Sequence, residues 1–460
     1  MAGVRTLVSF YARSCSRMHS PLKLSMTFRR VAAALLLAVS PAVATAQVRP
    51  PSAEQPPGPR VTVPPEPGSE LTVTLMTMGV GEQVWEQFGH NALWFHVERP
   101  PSVGGPADVV YNWGIFDSSK PYFIPHFLQG LMLYSMGGYN LQQTLIEYQE
   151  RDRELWTQEL DLTNAQKVAL RDFVIWNSRP ENAGYRYDYY LDNCSTRVRD
   201  ALDRVLGGVI RATFSGRNTD YTYRSETLRL TQRQSLLASG IDLGLGRPAD
   251  RKLTAYEEMF LPMRLRDYIR ELRIDDGHGG TRPLVKKERK VLGTVAHPEA
   301  SAPPHWMAPF ATIGIAVAIL FAVVGWRGAR GRKGARVAAA TLFAVWAFGV
   351  GMLGLILTLL WTVTDHHFAH RNENLLLFNP LWLVLAVFGP MTAVKGRLSR
   401  TTRWLTFFLA GLGVIALLMH LTGLSRESNG EIIALALPPT LALAWVVHRG
   451  TAHARRPAFE

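Results

Sequence analysis

Two short segments carry the residue types that a thiol enzyme needs. Cys194 follows Asp192 and Asn193, two strong helix-capping residues, and a predicted helix runs from it to Leu206. A cysteine at a helix N-terminus lies at the positive end of the helix dipole, which stabilises a thiolate. His90, at the entry to a predicted strand, is the candidate base for the thiol proton. Both residues are also compatible with ordinary structural roles, and their spacing alone does not separate the two interpretations.

The base of such a site needs an orienting partner on its second ring nitrogen. A loop at 100–106 contains Pro and Gly and separates two strand patterns, which predicts a β-hairpin. If the turn is centred near residue 101, His90 faces approximately residue 112. Asn112 is therefore the predicted third group, and Asp117 is the runner-up.

The N-terminus has the pattern of an export signal. Arg29 and Arg30 precede a short apolar run and a small-residue cleavage site, which predicts a signal peptide at 1–46. A retained membrane anchor is the alternative. Cys15 lies upstream of the predicted cleavage site, so the mature chain would keep only Cys194. A lone cysteine in an oxidising compartment forms no internal disulfide and is either a packed side chain or a reactive thiol.

Composition divides the remainder of the chain into four parts. A Pro-rich segment at 47–69 predicts a linker, 70–275 reads as an exported globular domain, 276–308 as a second linker, and 309–450 as a membrane domain. The formal net charge is +13, but no basic stripe with interleaved aromatic residues is present. We therefore expect no nucleic-acid partner.

Local patterns predict the elements of the globular domain. Alternating apolar residues predict strands at 71–75, 92–97 and 108–113. Helical patterns cover 141–176, 194–206 and 252–274. Within the first of these, Thr163 and Gln166 form a capping-box pattern, so a second helix is expected to begin there.

Five apolar runs in the second half are long enough, or nearly so, to cross a bilayer as helices. They cover 309–326, 337–361, 379–394, 404–423 and 431–448. Arginine and lysine concentrate in the first and third connecting loops and in the C-terminal tail. The positive-inside rule therefore puts the globular domain and the loops at 362–378 and 424–430 on the outer side. The export signal predicts the same orientation.

The first outer loop is unusually rich in residues that bind ligands. Asp365, His366, His367 and His370 follow the second apolar run, and Asn372 and Asn374 come next. One interpretation is a metal site, because histidine and carboxylate at this spacing bind zinc. A second is polar residues that meet lipid headgroups. A third is a loop that closes over the thiol site and binds the acyl donor or acceptor.

Several segments resemble the Lnb family of bacterial lipoprotein N-acyltransferases. They are Phe88–Ala92, Tyr111–Asp117, Tyr185–Asp188 and Asp192–Asp200, with His366–Asn374 and Asn379–Leu381 in the membrane half. The order of a histidine first and an Asn-Cys pair later also resembles the permuted papain-like group that includes lecithin:retinol acyltransferase. The resemblance implies an α+β permuted papain-like (NlpC/P60-like) exported domain, followed by an all-α bundle of about five transmembrane helices.

The resemblance also implies a function. Cys194 would be the nucleophile, His90 the base and Asn112 the third group, where lecithin:retinol acyltransferase has a second histidine. Tyr187, Asn193 and Arg197, with the histidines and asparagines of the outer loop, would bind substrates. A membrane phospholipid would donate an acyl chain to a lipoprotein amine at the bacterial inner membrane, without a cofactor. A periplasmic cysteine hydrolase of the same fold and a non-enzymatic membrane sensor are the alternatives.

Overall fold

The computed structural model describes residues 66–98, 107–119, 121–294, 296–394 and 399–453, which belong to one compact unit. The predicted signal peptide lies outside these residues, as do most of the Pro-rich linker and the predicted hairpin loop. The N-terminal part, up to residue 292, is a mixed α/β domain, and the C-terminal part is helical.

A seven-stranded antiparallel sheet forms the centre of the α/β domain, in the order β11-β5-β1-β2-β3-β4-β6. The strands formed by the described residues are β1 (Leu71–Met78), β2 (His90–Val97), β3 (Ala107–Ile115), β4 (Leu133–Asn140), β5 (Leu155–Leu160), β6 (Gly184–Arg186), β7 (Asn218–Thr222), β8 (Lys252–Thr254), β9 (Arg273–Asp275), β10 (Thr281–Pro283) and β11 (Val285–Leu292). The remaining strands form two small two-stranded sheets, β7 with β8 and β9 with β10.

Ten helices belong to the described part of the α/β domain. They are α1 (Phe123–Gln129), α2 (Leu141–Glu150), α3 (Asn164–Asn177), α4 (Pro180–Ala183), α5 (Cys194–Val205), α6 (Val209–Phe214), α7 (Tyr223–Thr231), α8 (Ser235–Gly244), α9 (Ala255–Glu258) and α10 (Pro262–Glu271). The predicted capping box is confirmed, because Thr163 caps α3 and exchanges hydrogen bonds with Gln166. Gly207 and Gly208 follow α5 and both adopt the αL conformation, which ends the helix.

The helix that carries Cys194 is fixed by the main hydrophobic core. Val198 and Leu202 are four residues apart, share one helix face, and are completely buried against β2 and β3. Each such side chain contributes about 1.5–3 kcal/mol when it leaves water. Leu93 and Trp113 supply the facing surface from the sheet. The helix N-terminus is thereby held against the strands that carry His90 and Asn112.

Three local predictions are corrected by the structure. The helical pattern at 141–176 is interrupted by strand β5, which pairs with β1 and β11 and buries its apolar positions in the sheet. The predicted linker at 276–308 contains β10 and the edge strand β11. The helix predicted at 252–274 is broken in two, because Pro262 starts a new helix at its N1 position.

The described residues of the helical part form five α-helices: α11 (Met307–Ala329), α12 (Lys333–Thr362), α13 (Trp382–Val394), α14 (Arg400–Leu421) and α15 (Gly430–His453). Among the described residues, four of them, all but α13, are long and apolar enough to cross a membrane. The third predicted run starts with a turn in which Asn379 caps the following backbone, so its helix begins at Trp382.

Loops at one end of the bundle contact the α/β domain. The backbone N–H of Gly246 donates to the carbonyl of Phe368 at 2.7 Å, and Asn372 donates to the carbonyl of Leu243 at 2.8 Å. The second loop joins through Ser428, whose N–H donates to Asp250 at 3.2 Å. Both loops that the charge pattern assigns to the outer side therefore lie on the same side of the bundle as the α/β domain.

Candidate active site

The position of Cys194 is set by a helix cap. Asn193 is buried, and its side-chain oxygen accepts from the N–H groups of Ser195 and Thr196, both at 2.9 Å. Thr196 completes a capping box by accepting from the N–H of Asn193. Cys194 is consequently the first residue of α5, where the unpaired N–H groups and the helix dipole favour a negative sulfur.

His90 and Asn112 form a hydrogen-bonded pair beside this helix start. The distance from His90 Nε2 to Asn112 Oδ1 is 2.9 Å. The Asn112 amide nitrogen donates to the carbonyl of Val110 at 3.1 Å, so the oxygen is the atom that faces the imidazole. His90 Nε2 therefore carries the proton, and Nδ1 is the nitrogen left for the thiol.

The backbone entering β2 aims His90. Gly89 has a φ of +76°, and a Cβ atom there would lie 2.8 Å from the carbonyl oxygen of Met78. The predicted hairpin register is wrong by two residues, because Asn112 pairs with Ala92 and not with His90. If the centre of the turn is displaced by one residue, each residue pairs with a partner two positions further along the other strand. Side chains alternate between the two faces of a strand, so a shift of two residues leaves Asn112 on the same face of the sheet as His90.

The electrostatics of the pair favour transfer of the thiol proton to the imidazole. Burial by itself raises the pKa of Cys194, but the charge and hydrogen bond of His90 outweigh it and hold the thiol pKa below its ordinary value. Burial likewise lowers the pKa of His90, but the interaction with Cys194 and the hydrogen bond to Asn112 raise it above its ordinary value. The two opposite shifts describe a thiolate–imidazolium pair, which is a strong nucleophile next to a proton donor.

Backbone donors also support the negative sulfur. The N–H groups of Asn91 and Ser195 hydrogen-bond to Cys194 and lower its pKa. Asn91 is completely buried, and its side chain donates to Thr77 Oγ1 at 2.8 Å, which fixes this backbone segment. A sulfur held by two peptide N–H groups and an imidazole is oriented before any substrate arrives.

A group of tyrosines lines the thiol and was missed by the sequence analysis, apart from Tyr187. The pKa of Tyr148 is raised to about 12, first by burial, and the charge of Cys194 adds to the shift. The pKa of Tyr185 is raised by burial and then by the same charge. A Cβ atom on Gly114 would lie 3.5 Å from that of Cys194 and 4.0 Å from the Tyr185 hydroxyl, so thiol and phenol flank one glycine. The dense tyrosines at 185–190 were the available sequence signal.

Tyr187 belongs to the same group of tyrosines, here called the tyrosine wall. Its ring stacks on that of Tyr134 with centroids 4.2 Å apart, and its backbone N–H donates to the carbonyl of Met132 at 2.8 Å. Burial raises its pKa well above the ordinary value, and the charge of Cys194 is the next cause. The phenol is therefore neutral, and it lies close enough to Cys194 for the charge of the thiolate to act on it.

A buried arginine is a second residue that the sequence analysis missed. Arg153 donates through Nε and Nη2 to the carbonyl of Gly79, at 3.0 and 2.8 Å, and its Nη1 lies 3.6 Å from Glu86. Its guanidinium also stacks over the ring of Tyr148. The positive charge lowers the pKa of His90, which limits the rise caused by the thiol. No local motif marks a single arginine of this kind.

Two other predicted residues hold the site together. The Asn193 amide nitrogen donates to the carbonyls of Tyr189 and Phe260, both at 3.0 Å, so its oxygen and nitrogen both have protein partners. Arg197 pairs with Asp192 through a 2.6 Å bond from Nη2 and stacks over the ring of Tyr185 at 4.2 Å. These contacts position the start of α5 and the tyrosine wall.

Comparison with known families decides the assignment. A profile of the Lnb N-terminal periplasmic domain matches residues 67–231, and a profile of the Lnb transmembrane domain matches residues 302–449. The two matches occur in the expected order and together cover more than half of the chain. The chain belongs to the Lnb family. No curated protein sequence and no solved structure matches it.

Lnb membership identifies a membrane enzyme of lipoprotein processing whose α/β domain lies in the periplasm. The loops that contact this domain are thereby periplasmic as well. Cys194, His90 and Asn112 lie inside the residues matched by the periplasmic profile, and the His-rich loop lies inside those matched by the transmembrane profile.

The histidines of the periplasmic loop face different partners. His366 Nε2 bonds to the carbonyl of Phe127 in α1 at 3.0 Å, and His370 Nε2 bonds to the carbonyl of Thr364 at 3.2 Å. The ring of His367 lies 5.6 Å from that of His370. Within the described ranges, no three His, Cys, Asp or Glu side chains are grouped to hold a metal ion.

Asn372 and Asn374 belong to a buried polar cluster, here called the interdomain network, between the periplasmic domain and the bundle. Asn374 donates to Glu427 at 2.8 Å and accepts from Asn429 at 3.1 Å. Arg224 contributes the central positive charge, 3.4 Å from Glu427. The other charged members are Asp242, at 2.7 Å, and Asp250, at 2.9 Å from the same guanidinium.

Proposed function

We propose that this Lnb-family enzyme transfers a fatty acyl chain from a membrane phospholipid to the N-terminal amine of a lipoprotein. The reaction proceeds through a thioester on Cys194. The observation that carries the proposal is the thiol–imidazole–amide arrangement of Cys194, His90 and Asn112. The opposite pKa shifts of the first two residues support it.

The first half-reaction forms the thioester. The Cys194 thiolate attacks the carbonyl carbon of a phospholipid ester, and the ester C–O bond breaks as the tetrahedral intermediate collapses. The His90 imidazolium donates its proton to the leaving oxygen, which departs as the hydroxyl of a lysophospholipid. The raised pKa of His90 supports this role, since the imidazole holds the proton that the leaving group needs.

The second half-reaction forms an amide. The lipoprotein amine attacks the thioester carbonyl, and neutral His90 accepts the proton that the nitrogen loses. The C–S bond breaks, and Cys194 leaves as the thiolate beside the imidazolium. This is the state in which the cycle began, so no cofactor is required.

Protein groups around the thiol are suited to stabilise the charge of the intermediates. The side chain of Asn193 accepts hydrogen bonds from the N–H groups of Ser195 and Thr196. The N–H group of Cys194, at the same helix start, is therefore our candidate donor to the oxyanion. Asn112 holds His90 in the tautomer that presents Nδ1 to sulfur. A strand-borne histidine that precedes a helix-borne cysteine in the chain is consistent with a permuted papain-like fold.

Attachment to the membrane favours an acyltransferase over a water-using hydrolase of the same fold. The interdomain network fixes the periplasmic domain on the outer ends of the spanning helices. A phospholipid and a lipoprotein are both anchored in that leaflet, so neither acyl chain must be extracted into water. A soluble cell-wall substrate would need no such attachment. The activated thiol likewise disfavours a non-enzymatic sensor, for which the pKa of Cys194 would be irrelevant.

The proposal is tested in a bacterium depleted of its own apolipoprotein N-acyltransferase. Wild-type protein and Cys194→Ala are expressed, and lipoprotein N-terminal peptides are analysed by mass spectrometry. We expect an amide-linked acyl chain with the wild type and a free amine with the variant. Free N-termini with both proteins, at equal expression, would contradict the assignment of the lipoprotein as acceptor.

A further inference from the structure

The segment 122–133, which contains helix α1 and the first residue of β4, exposes apolar side chains that no described part of the protein covers. The exposed fractions are 71% for Tyr122, 65% for Ile124, 61% for Leu128 and 72% for Leu133. Residues 121–140 contain no Asp, Glu, Lys or Arg. A contiguous apolar surface without charges is costly in water and marks a site of association with lipid or protein.

The position of α1 indicates that lipid, and not another protein, covers this apolar surface. The N–H of Asp365 donates to the carbonyl of Gln129 at 2.8 Å, and His366 bonds to the carbonyl of Phe127. Asp365 is only three residues beyond Thr362, the last residue of the spanning helix α12. Helix α1 therefore lies beside the outer end of a helix that is long and apolar enough to cross the membrane.

Other residues support this placement. Trp361, at the end of α12, is 42% exposed, as expected for the aromatic belt at a membrane surface. Burial lowers the pKa of His366, so this residue is neutral and adds no charge beside α1. The apolar surface of α1 therefore lies beside the periplasmic end of α12, next to the exposed Arg186–Asp365 ion pair.

A row of aromatic rings connects α1 with the thiol. Phe123 of α1 stacks on Phe116 with ring centroids 5.7 Å apart, and Phe116 stacks on Tyr134 at 5.1 Å. Tyr134 stacks on Tyr187 at 4.2 Å, and the charge of Cys194 acts on the Tyr187 phenol. The row is a continuous series of stacked rings from α1 to a tyrosine beside the nucleophile.

We propose that α1 rests in the outer leaflet of the membrane and that the row Phe123, Phe116, Tyr134 and Tyr187 guides a phospholipid acyl chain to Cys194. This inference rests on the proposed function and identifies how the donor reaches the site. The bilayer is the occupant, because α1 lies beside the outer end of α12 and is uncharged. A lipoprotein chain seated on α1 instead would contradict the proposal.

The membrane contact is tested without any catalytic readout. The full-length protein carries Ile124→benzoylphenylalanine and is reconstituted in vesicles of phosphatidylethanolamine and phosphatidylglycerol. The control is Ile175→benzoylphenylalanine in α3, where the native side chain is 42% exposed and the helix packs on α5 and β1. After irradiation we expect the mass of one phospholipid on the Ile124 variant only. No lipid adduct, equal adducts on both variants, or an adduct with added lipoprotein in place of lipid would overturn the proposal.

The acyl path is tested by comparing two donors. The double variant Ile124→Glu with Leu128→Glu and the control Ile175→Glu are supplied with bilayer phospholipid or with a water-soluble short-chain ester. We expect the ratio of bilayer to soluble acyl-enzyme formation to fall at least tenfold, on the order of 1.4 kcal/mol, in the double variant only. An unchanged ratio would overturn the access role. If the wild type forms no acyl-enzyme from either donor, the proposed function fails, while the cross-linking result still decides the membrane contact.

Discussion

The thiol site and the interdomain network are both buried and polar, but their charges are arranged in opposite ways. In the network, the guanidinium of Arg224 lies within 3.4 Å of the carboxyl groups of Asp242, Asp250 and Glu427. At the thiol site, the two titratable groups Cys194 and His90 face mainly each other, and one amide orients the imidazole.

Because of this difference, the interdomain network stabilises the contact between the two domains, whereas the thiol site favours a reactive sulfur. A buried ion network stabilises only when its partners are all present, and removal of one member leaves an uncompensated charge. A reactive pair instead needs groups whose environments shift their pKa values toward one another. The network can therefore hold the domain on the membrane while the thiol remains available for chemistry.

The largest expected effect is on the reactive pair. His90→Gln should lower the rate of acyl-enzyme formation by roughly 10²–10⁴-fold, because the proton acceptor and donor is lost. His96→Gln is the matched control in the same strand, where the histidine bonds to Asp108 at 2.9 Å and to Glu98 at 3.0 Å. Rates are measured by intact-protein mass spectrometry. Equal losses in both variants would contradict the role of His90.

The next largest effect is expected from a substitution that disrupts the interdomain network and leaves the thiol site unchanged. Arg224→Met should lower the free energy of unfolding by about 3–5 kcal/mol, because the buried carboxylates lose their counter-charge. Arg217→Met is the control, since the Arg217–Glu271 pair is exposed and contributes at most about 1 kcal/mol. Thermal unfolding in detergent measures both. A similar loss in the two variants would mean that the network does not stabilise the domain.

A smaller effect is expected from the orienting amide. Asn112→Ala should slow acyl-enzyme formation about tenfold, the equivalent of one hydrogen bond. Asn112→Asp keeps an oxygen acceptor for His90 Nε2 and should recover part of the rate. The two rates are compared at fixed phospholipid concentration. A wild-type rate for Asn112→Ala would remove this residue from the site.

The smallest expected effect is the pH dependence of the network. Burial raises the pKa of Glu427 to about 8, although Arg224 opposes the shift. Because the pKa is higher in the folded state, the stabilisation is complete below the ordinary glutamate pKa and is lost as pH rises through about 8. The melting temperature should therefore fall between pH 6 and pH 9, and Glu427→Gln should reduce that fall. An identical fall in the variant would show that another group is responsible.

Local signals predicted the helix caps and the proximity of His90 and Asn112, because caps and strand alternation act over a few residues. Asn193 and Thr163 were identified as helix starts from their side-chain chemistry alone, and both cap helices. Asn112 was selected as the polar residue near His90 across a predicted hairpin, and the face was right although the register was not.

Features that depend on distant pairing were not predictable in the same way. Strand β5 has a sequence that continues a helical pattern, and only pairing with β1 and β11 makes it a strand. The partners in the network are far apart in sequence, since Arg224 and Glu427 belong to different domains. Asn372 and Asn374 were expected to bind substrates, and their partners in the structure are protein groups.

The central claim is that Cys194 accepts an acyl chain from phospholipid. Purified full-length protein in phospholipid vesicles is examined by intact-protein mass spectrometry, before and after treatment with neutral hydroxylamine, beside Cys194→Ala. We expect a mass increase of one acyl chain on the wild type that hydroxylamine removes, and no increase on the variant. An adduct that persists in Cys194→Ala, or a thiol that stays unmodified while an amine acceptor is acylated, would contradict this claim.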